Sequence, residues 1–298
     1  MSLGVDLVPS KVCSLNCVYC EAGKTTKITA ERKDYLPTNK IIAELKDYLN
    51  QKPVLDYITF SGFGEPTLHK NIGEIASFIK TNYPQYKLAL ITNSTLFDNA
   101  QFRKEILMMD LVLPSLDAAS QEAFEKINRP VAGLKIQNIV KGLIEFRKEY
   151  KGKIWLEVFI IPGINDSPGE IELITQAVKA INPDNVQLNS LDRPGTEDWV
   201  KCSSIEKLEQ IAGVFDAVPV EIIARKKNTP TFNSKSNNPE NQILEAIKRR
   251  PCTLNDLQIM LNKQEKEIMP LLEKFLSSNL IESTGENRGI FYSIKKLS

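Results

Sequence analysis

The sequence has a single histidine, His69, which we interpret as supporting its loop rather than acting as a base. Long apolar runs are missing, since no stretch approaches the roughly 18 residues that a membrane-spanning helix needs. The opening residues, MSLGVDLVPSK, also lack the apolar core of a secretory signal peptide. Neither charge dominates, because 38 Lys and Arg residues balance 37 Asp and Glu residues. Net charge therefore gives no support for non-specific attraction to nucleic acid or to an anionic membrane.

Cysteine is also scarce, and its spacing lacks the even framework typical of disulfide-rich secreted domains. The chain has five cysteines, of which Cys202 and Cys252 stand alone. We therefore expect a reducing compartment, the cytoplasm. The composition, 42% hydrophobic and 25% charged over 298 residues, predicts an ordinary globular chain with one large domain and a small one.

The other three cysteines, Cys13, Cys17 and Cys20, lie together in CSLNCVYC. Three thiolates at this spacing on one tight loop can hold three corners of a cubane iron–sulfur cluster. Cluster sites usually supply four cysteines, so a fourth iron would here be open to chemistry. The alternatives are structural zinc ligands or merely small buried side chains. Zinc is disfavoured because it needs a fourth ligand, and neither His69 nor another cysteine is in phase with the motif.

Short β-rich segments alternate with amphipathic helical segments up to about residue 224, which predicts an α/β fold with a parallel sheet. In the clearest helix, residues 38–49, Thr38 is the expected N-cap, and the apolar residues after it are Ile41, Ile42, Leu45 and Leu49. Six or seven βα units predict a partial (β/α)6 barrel, smaller than the eight-unit type. The expected strands are residues 4–8, 56–61, 87–92, 111–115, 154–161, 185–189 and 220–224.

Residues 225–241, RKKNTPTFNSKSNNPEN, have the polar composition of a linker between a domain at 1–224 and a second domain at 242–298. The elements expected in the second domain are helices at 242–249, 254–261 and 263–277 and two strands around 285–289. This order predicts a winged helix-turn-helix, with Thr253 as a helix cap. Because the charges of KQEKEIMPLLEKF cancel and the wing offers Arg288 alone, we favour protein or peptide docking over DNA or RNA binding.

With Tyr19 directly before the last cysteine, CSLNCVYC resembles the signature of the radical S-adenosylmethionine (SAM) superfamily, and the resemblance covers roughly residues 4–224. It implies a 4Fe–4S cluster on the three cysteines, SAM as a cofactor, and an electron donor such as flavodoxin or ferredoxin. In this family the reduced cluster passes an electron into SAM, and the resulting 5′-deoxyadenosyl radical abstracts hydrogen from a substrate. General acid and base residues need not be evident, so no catalytic residue is assigned.

A second motif, SGFGEPTLH, directly follows an expected strand. Glycines let a backbone approach a ligand closely, and a carboxylate with nearby carbonyl groups can hold an ammonium group. In the family this strand end binds the methionine amine of SAM, which implicates Gly62, Phe63, Gly64 and Glu65. The alternative is a βα turn in which Pro66 starts a helix and the acid is incidental.

The third and fourth strands also end in polar residues. LITNST carries Thr92, Asn93 and Ser94, and the family has Thr-Asn-Gly here, so Ser94 puts the tight glycine turn in doubt. In PSLDA, Ser115 and Asp117 correspond to the family's ligands for the SAM ribose or carboxylate. The alternative is that these two residues simply cap the next helix.

Further candidate SAM contacts rest on weaker matches. Arg129, in INRP, could pair with the SAM carboxylate because a guanidinium fork suits that group; alternatively it is a surface residue. Ile160 and Ile161 on the fifth strand could form an apolar wall for adenine, although such residues are usually core. Asn189 and Leu191 end the sixth strand and could line the same rim.

The opening GVDLVPSKVCSLNCVYCEAGKTT, with INRP and SLDRPGTE, resembles radical SAM proteins related to the tRNA wyosine-base synthases. That relationship suggests a substrate derived from a tRNA guanine. Those enzymes carry a second cluster on cysteines upstream of the first motif, whereas only twelve residues precede Cys13. Together with the appended winged helix, this predicts a relative with different chemistry.

Three functions of different classes stay open. The favoured one is a radical enzyme whose winged helix presents a peptide or protein substrate. The second is a radical enzyme that acts on RNA, and it predicts a basic patch drawn from Lys24, Lys27, Arg32, Lys33 and the Lys226 region. The third is a redox-sensing regulator that holds the cluster and binds DNA through its winged helix.

Overall fold

The computed structural model describes residues 1–223, 238–286 and 289–295. Residues 225–237 of the predicted linker, which include the Lys226 region, and Arg288 of the predicted wing lie outside the described residues. In chain order the strands are β1 (Ser2–Val5), β2 (Val12–Cys13), β3 (Lys27–Ile28), β4 (Tyr57–Phe60), β5 (Lys87–Thr92), β6 (Leu111–Pro114), β7 (Lys153–Phe159), β8 (Asn185–Asn189), β9 (Val220–Ile222), β10 (Cys252–Thr253), β11 (Ile281–Glu286) and β12 (Gly289–Ile294).

The helices are α1 (Thr38–Leu49), α2 (Ile72–Asn82), α3 (Ala100–Glu105), α4 (Gln121–Asn128), α5 (Ile136–Glu149), α6 (Pro168–Ile181), α7 (Ile205–Val214), α8 (Pro239–Arg249), α9 (Leu254–Leu261) and α10 (Glu265–Ser277). A short 3-10 helix spans Pro66–Leu68. None of these described helices is both long enough and apolar enough to span a membrane.

Seven parallel strands form the main sheet, and their spatial order, β1-β4-β5-β6-β7-β8-β9, follows their order along the chain. Parallel neighbours need a crossover connection, and helices α1 to α7 supply these connections. The predicted α/β fold with a parallel sheet is confirmed. The sequential order is the one that the predicted partial barrel requires.

One face of this sheet is buried under the helices. Ile58 and Phe60 of β4, and Leu156 and Val158 of β7, alternate along their strands and are fully buried in the main core. Successive side chains of a strand point to opposite faces, so Glu157 between the last two lies on the other face. Each buried apolar side chain contributes about 1.5–3 kcal/mol, which stabilises the sheet from one side and leaves the other side for polar groups.

Helix α1 has the predicted bounds, but its predicted N-cap was wrong. Thr38 is already helical, and Pro37 occupies the cap position without a capping side chain. The Thr38 hydroxyl instead donates to Asp34 and accepts from the Asn71 side chain. The apolar pattern of the helix predicts its length but cannot reveal these partners.

The C-terminal unit, which we define as residues 238–295, has its own apolar core that includes Ile243, Leu257, Leu272 and Phe275. Its antiparallel sheet has the order β10-β12-β11. The hairpin of β11 and β12 agrees with the predicted pair of strands. Strand β10 was not predicted, because a strand of two residues is too short to show an alternation of apolar and polar side chains.

Two helix caps organise this unit. Asn238 caps α8 by accepting the Glu240 N–H, and Pro239 occupies the first helical turn. The helix therefore begins three residues before the predicted start, inside the predicted linker. Thr253 caps α9 as predicted, and Asp256 bonds back to the Thr253 N–H in a capping box.

Candidate functional site

The cysteine loop, which we define as residues 12–28, is closed by a short parallel pairing of β2 with β3. Within it, the Cys20 N–H donates to the Cys17 carbonyl, and the Gly23 N–H donates to the Cys20 carbonyl. Just before it, Lys11 has a left-handed φ of 66°, and its carbonyl accepts N–H groups from the far end of the loop. These turns gather the three predicted metal ligands onto one short segment.

Burial dominates the electrostatics of the three thiols. It raises the pKa of Cys13 to about 12, raises the pKa of Cys17 well above its usual range, and raises the pKa of Cys20. The charge of Glu65 acts in the same direction on Cys13, and that of Asp117 on Cys17. The free thiols are therefore protonated at neutral pH, and a cluster that binds must displace these protons. Within residues 1–223, 238–286 and 289–295, no three His, Cys, Asp or Glu side chains are grouped so as to hold a metal ion.

Hydrogen-bond donors reach the sulfurs of Cys13 and Cys17. Cys13 Sγ accepts from a backbone N–H and from the Asn93 side chain, both at 3.4 Å. Cys17 Sγ accepts from the Asn128 side chain, also at 3.4 Å. At Cys20, burial raises the pKa and the backbone groups of Ala22 and Gly23 oppose that shift. Such donors stabilise sulfur that carries negative charge, so this donor set fits a cluster bound through three thiolates.

Two glycines let the end of β4 pack against the start of the cysteine loop. Gly62 has a φ of +148°, and a Cβ there would lie 2.0 Å from Asp6 Oδ1. A Cβ at Gly64 would lie 2.4 Å from the Val12 carbonyl oxygen. Between them, the Phe63 carbonyl accepts the N–H of the residue before β2 at 2.8 Å. A larger residue at either glycine would push this strand end away from the cysteines.

Glu65 is 3% exposed, and its carboxylate joins the ends of two strands. Oε1 accepts from the Thr67 N–H, the Thr67 hydroxyl and the Thr92 hydroxyl at 2.6–3.1 Å, and Oε2 accepts from the Asn93 N–H at 2.8 Å. Burial raises the pKa of Glu65, and these hydrogen bonds oppose the shift. Glu65 also caps the short helix that Pro66 starts. The acid is thus both part of a βα turn and the residue that fixes β4 against β5.

Ser94 makes the turn for which the family uses glycine. Its φ is 70°, in the left-handed region, and it is fully buried. Its hydroxyl donates to the Ser115 carbonyl at 2.8 Å, and its N–H donates to the Thr92 hydroxyl at 3.3 Å. A left-handed residue with a Cβ costs about 1–2 kcal/mol, which these hydrogen bonds offset. The turn therefore forms without glycine.

Asp117 is the centre of a second polar network. Its Oδ2 accepts from the Tyr19 hydroxyl at 2.6 Å and the Asn128 amide at 2.7 Å, and its Oδ1 accepts from the Phe159 N–H at 3.0 Å. The Tyr19 and Phe159 rings stack with 3.8 Å between their centroids. Burial raises the pKa of both Asp117 and Tyr19. The alternative that Asp117 caps α4 was wrong, because Ser120 caps that helix with its own hydroxyl.

A cavity lies between these networks and brings four of the predicted residues together. Its polar wall consists of Tyr19, Asn93, Ser115, Asp117 and, in addition, Asn128. Its apolar wall consists of Leu15, Leu116, Phe124, Ile136 and Ile139. The five apolar residues belong to the main core, so this cavity groups the four predicted side chains at the edge of that core.

Glu157, which the sequence analysis missed, lies next to this polar wall. Its Oε1 accepts from the Asn189 amide at 3.0 Å, and its Oε2 accepts from the Ser115 hydroxyl at 3.3 Å. Burial raises the pKa of Glu157, and the Asp117 charge adds to that shift. A single acid within the apolar strand IWLEVFII was the available signal, since an acid there must point away from the helix layer.

Arg129 does not line the cavity. It ends α4 with a left-handed φ of 43°, and its guanidinium pairs with Glu197. Its side chain is 37% exposed, which agrees with the alternative of a surface residue. Pairing with a SAM carboxylate stays a prediction. It would require Arg129 to break its ion pair with Glu197 or to bind both carboxylates at once.

Ile161 and Leu191 lie in a small apolar cluster with Val18, against the Tyr19 ring. Ile160 belongs to the main core under the helices instead. The prediction that Ile160 and Ile161 form one wall was therefore wrong, because successive residues of an extended chain point in opposite directions.

His69 supports its loop, as expected. The ring is fully buried, and its Nδ1 accepts the Asn71 N–H at 3.3 Å. Its Nε2 lies 2.9 Å from the Leu36 carbonyl oxygen and 3.0 Å from an Asp34 carboxylate oxygen. Both ring nitrogens are thus occupied by neighbouring protein groups.

The predicted basic patch is partly neutralised. Arg32 forms an ion pair with Glu105 at 2.5 Å and donates to three carbonyl groups after β4. Lys33 pairs with Glu31 at 3.3 Å. A nucleic acid at this patch would have to compete with these carboxylates for the basic side chains.

Residues 193–197, which we call the strap, cross the cysteine loop. The Thr196 hydroxyl donates to the Cys20 carbonyl, and the Glu197 N–H donates to the Val18 carbonyl, each at 3.1 Å. These residues come from SLDRPGTE, a motif that the sequence analysis noted but gave no structural role. The strap therefore supports the loop through two hydrogen bonds to its backbone.

The start of the strap contacts the C-terminal unit. Arg193 is 8% exposed and donates to Asp256 at 2.7 Å and to the Pro251 carbonyl at 3.0 Å. Its guanidinium also lies 3.8 Å from Glu21, directly after the last loop cysteine. No local pattern could have revealed this pair, because its members are far apart in the sequence.

Sequence comparisons agree with the geometry of the site. The profile of the Radical SAM superfamily matches residues 7–172. A UPF0026 protein of Methanocaldococcus jannaschii is 32% identical over 272 residues, covering 88% of this chain and 82% of that protein. A UPF0026 protein of Helicobacter pylori strain J99 is 31% identical over 262 residues, covering 88% and 84%. A Brachyspira hyodysenteriae protein named GTPase Obg is 34% identical over 98% of this chain, which spans 43% of that protein's length.

Solved structures share the fold. A radical SAM methyltransferase from Sphaerobacter thermophilus has a TM-score of 0.59 at 16% identity, over 75% of this chain and 67% of that one. Streptococcus suis SuiB bound to S-adenosylmethionine has a TM-score of 0.54 at 14% identity, over 76% and 51%. These two likenesses concern the fold alone, whereas the superfamily profile spans more than half of the chain. The chain is therefore a radical SAM enzyme, a member of the Radical SAM superfamily and of the UPF0026 family.

Proposed function

We propose that this enzyme cleaves SAM reductively at a 4Fe–4S cluster bound by Cys13, Cys17 and Cys20, and modifies a macromolecular substrate. The observation that carries the proposal is the cysteine loop, where the sulfurs of Cys13 and Cys17 accept N–H donors beside the ends of parallel strands. Such strand ends are where α/β sheets bind their ligands. When bound, the cluster would supply a low-potential electron, which yields the 5′-deoxyadenosyl radical from SAM. A flavodoxin or ferredoxin is the proposed electron donor.

The end of β4 is the proposed site for the methionine amine. Gly62, Phe63 and Gly64 present their backbone close to the cysteine loop, as the contacts of both glycines require. The carboxylate of Glu65 is already bonded to three residues. We therefore expect Glu65 to act in two ways, by holding the strand ends in place and by accepting the ammonium group on a remaining lone pair.

The rest of the proposed SAM site follows the cavity and its rim. Asp117 and Ser115 would bind the ribose or the carboxylate, and the Tyr19 ring with its apolar neighbours would cover the adenine. Support comes from the cavity, which four of the predicted residues line. Beyond the end of β4, the proposed contacts are Tyr19, Thr92, Asn93, Ser94, Ser115, Asp117, Arg129, Ile161, Asn189 and Leu191.

We also propose a partial barrel for residues 1–224 and a winged helix for the C-terminal unit. The strand order of the main sheet supports the first, and the element order from α8 to β12, helix-strand-helix-helix-strand-strand, supports the second. Helix α8 shortens the proposed linker, which would end at residue 238.

A peptide or protein is the favoured substrate. In the C-terminal unit, Lys263 pairs with Glu267 and Lys274 pairs with Glu240, so charges are matched within the unit. A balanced surface attracts phosphate groups weakly. The resemblance to tRNA wyosine-base synthases keeps RNA as the alternative substrate. A DNA-binding redox regulator is the alternative function, and it needs no SAM.

The proposal is tested by anaerobic reconstitution with iron and sulfide, followed by reduction in the presence of SAM. We expect 5′-deoxyadenosine to accumulate, measured by liquid chromatography and mass spectrometry. A protein that assembles the cluster and yields no 5′-deoxyadenosine would contradict the proposal and would favour the regulator.

Glu65→Ala tests the amine site separately. We expect the cluster to assemble while SAM affinity falls about tenfold or more, the cost of losing a hydrogen bond to a charged group. Isothermal titration of the reconstituted protein gives the affinity, and the exposed Glu31→Ala variant is the control. Equal SAM binding in both variants would show that SGFGEP is wrongly assigned.

A further inference from the structure

Two asparagine side chains reach the cysteine loop from elsewhere in the chain. Asn93 directly follows β5, and its Nδ2 donates to Cys13 Sγ at 3.4 Å and to the Ser14 hydroxyl at 2.9 Å. Asn128 is the last residue of α4, and its Nδ2 donates to Cys17 Sγ at 3.4 Å and to an oxygen atom at 2.7 Å. An amide NH2 group has two hydrogens, so each asparagine divides them between one sulfur and one oxygen anchor.

The orientation of both amides is fixed by their other partners. Asn93 Oδ1 accepts from the N–H and the hydroxyl of Thr95, at 3.2 and 2.9 Å, so its NH2 group must face the loop. The oxygen anchor of Asn128 is the Asp117 carboxylate, which accepts hydrogen bonds, so here too the NH2 group is the one turned inward. Asn128 is 4% exposed, and its backbone carbonyl accepts the Asn16 N–H at 2.9 Å.

We propose that Asn93 and Asn128 are positioning residues that raise the reduction potential of the cluster by donating N–H···S hydrogen bonds to two of its three cysteine ligands. Reduction places more negative charge on the cluster and its sulfurs, so a donor stabilises the reduced form more than the oxidised form. This inference rests on the proposed function, because it needs the cluster. It gives INRP a role through its asparagine rather than through its arginine.

The three ligands are not equivalent in this arrangement. Cys13 and Cys17 each accept one side-chain N–H, whereas Cys20 lies in a turn that is closed by backbone hydrogen bonds. A substitution can therefore remove donors from two of the sulfurs and leave the third unchanged. The influence of each asparagine on the reduction potential can therefore be measured by substituting that residue.

The test compares the full-length variants Asn93→Leu, Asn128→Leu and the double variant after anaerobic reconstitution, without SAM. Leucine keeps the approximate shape of asparagine and removes the donor. An electron paramagnetic resonance redox titration should give a more negative midpoint potential for each single variant. The double variant should show the sum of the two shifts, since the two amides act on different sulfurs.

Asn165→Leu is the matched control. Asn165 is fully buried, and its amide donates to the carbonyl groups of Asp117 and Phe159 at 2.7 Å, with no contact to sulfur. We expect a loss of thermal stability in this variant and the midpoint potential of the unsubstituted protein. Identical potentials in all four variants and the parent would overturn the inference.

A second measurement uses the unsubstituted protein and so does not depend on how the variants fold. Asparagine labelled with 15N in the side-chain amide should give 15N couplings to the reduced cluster in a hyperfine spectrum. Absence of these couplings would overturn the inference while leaving SAM cleavage untouched. Iron and sulfide analysis that finds no cubane at all would instead remove the proposed function, and this inference with it.

Discussion

In the C-terminal unit, residues near one another in the sequence bury their own apolar side chains, with Ile268 and Leu272 of α10 fully buried against Ile243 of α8. The cysteine loop is formed differently, because its shape depends on hydrogen bonds from distant segments. Asn128 bonds to Cys17 across 111 residues of sequence. The comparison indicates that a local apolar core stabilises the C-terminal unit, whereas the cofactor loop needs the whole α/β unit to be folded.

The strap is where these two regions meet. It carries hydrogen bonds to the cysteine loop at one end and the Arg193 ion pair to the C-terminal unit at the other. A unit with its own core can therefore still influence the loop. The following experiments separate the two kinds of stabilisation.

The largest effect is expected for Cys17→Ala. This change leaves two thiolate ligands in the loop, too few to hold the cubane, so iron and sulfide per chain should fall to near zero after reconstitution. Cys202→Ala, outside the loop, should retain a full cluster. A Cys17→Ala protein that keeps its cluster would contradict the assignment of the ligands.

Leu272→Ala should act on the C-terminal unit alone. Removing this fully buried side chain costs about 3 kcal/mol of that unit's stability by leaving a cavity. Hydrogen exchange followed by mass spectrometry should show faster exchange from α8 to β12, with no change in cluster content. Parallel loss of the cluster would show that the two regions are stabilised together.

Arg193→Ala should weaken the connection between the regions by about 2 kcal/mol or more, since it leaves the Asp256 carboxylate without its buried partner. We expect faster hydrogen exchange both at the strap and at the loop backbone near Val18 and Cys20. Lys274→Ala, which breaks an exposed pair with Glu240, is the control and should leave the loop unchanged. Unchanged hydrogen exchange at the loop in Arg193→Ala would contradict a connection between the two regions.

The smallest effect is the change of stability with pH, which should have opposite signs for an acid of the main sheet and an acid of the C-terminal unit. Burial raises the pKa of Glu157, so its contribution to stability is present below the ordinary value of 4.5 and is lost as pH rises through the raised value. Glu157→Gln should therefore be more stable than the parent at about pH 8 and equal to it near about pH 4.

Glu267 of the C-terminal unit provides the matched comparison. A hydrogen bond from the Gln264 N–H, together with Lys263, lowers its pKa, so its contribution is present above 4.5 and is lost as pH falls. Glu267→Gln should be the less stable protein at neutral pH. Chemical denaturation of each variant across the pH range gives the two slopes, and slopes of equal sign would contradict this account.

Features set by local pattern were predictable from the sequence. Strands β5 and β8 and helices α1 and α9 have the predicted bounds, because their apolar residues repeat with a clear period. The cap at Thr253 followed from its residue type and the helix after it. Membership in the Radical SAM superfamily followed from one short motif.

Features set by tertiary partners were not predictable. Asn128 was not predicted, although its amide donates to Asp117, a predicted residue that also accepts from Tyr19. Glu157 needed the register of its strand, and the pairing of Arg193 with Asp256 needed the placement of the C-terminal unit. In each case the side chain gains its role from a partner that no window of sequence contains.

The distances along the chain have a consequence for how the cofactor is acquired. Cys20 leaves the ribosome long before Thr196, its partner 176 residues later, and synthesis at about 5–20 residues per second makes this interval roughly 10–35 seconds. During the end of that interval the loop lacks the contacts of the strap, and its cysteines are open to oxidation or to other metals. We therefore expect cluster insertion to follow the synthesis of the strap, late in translation or after release of the chain.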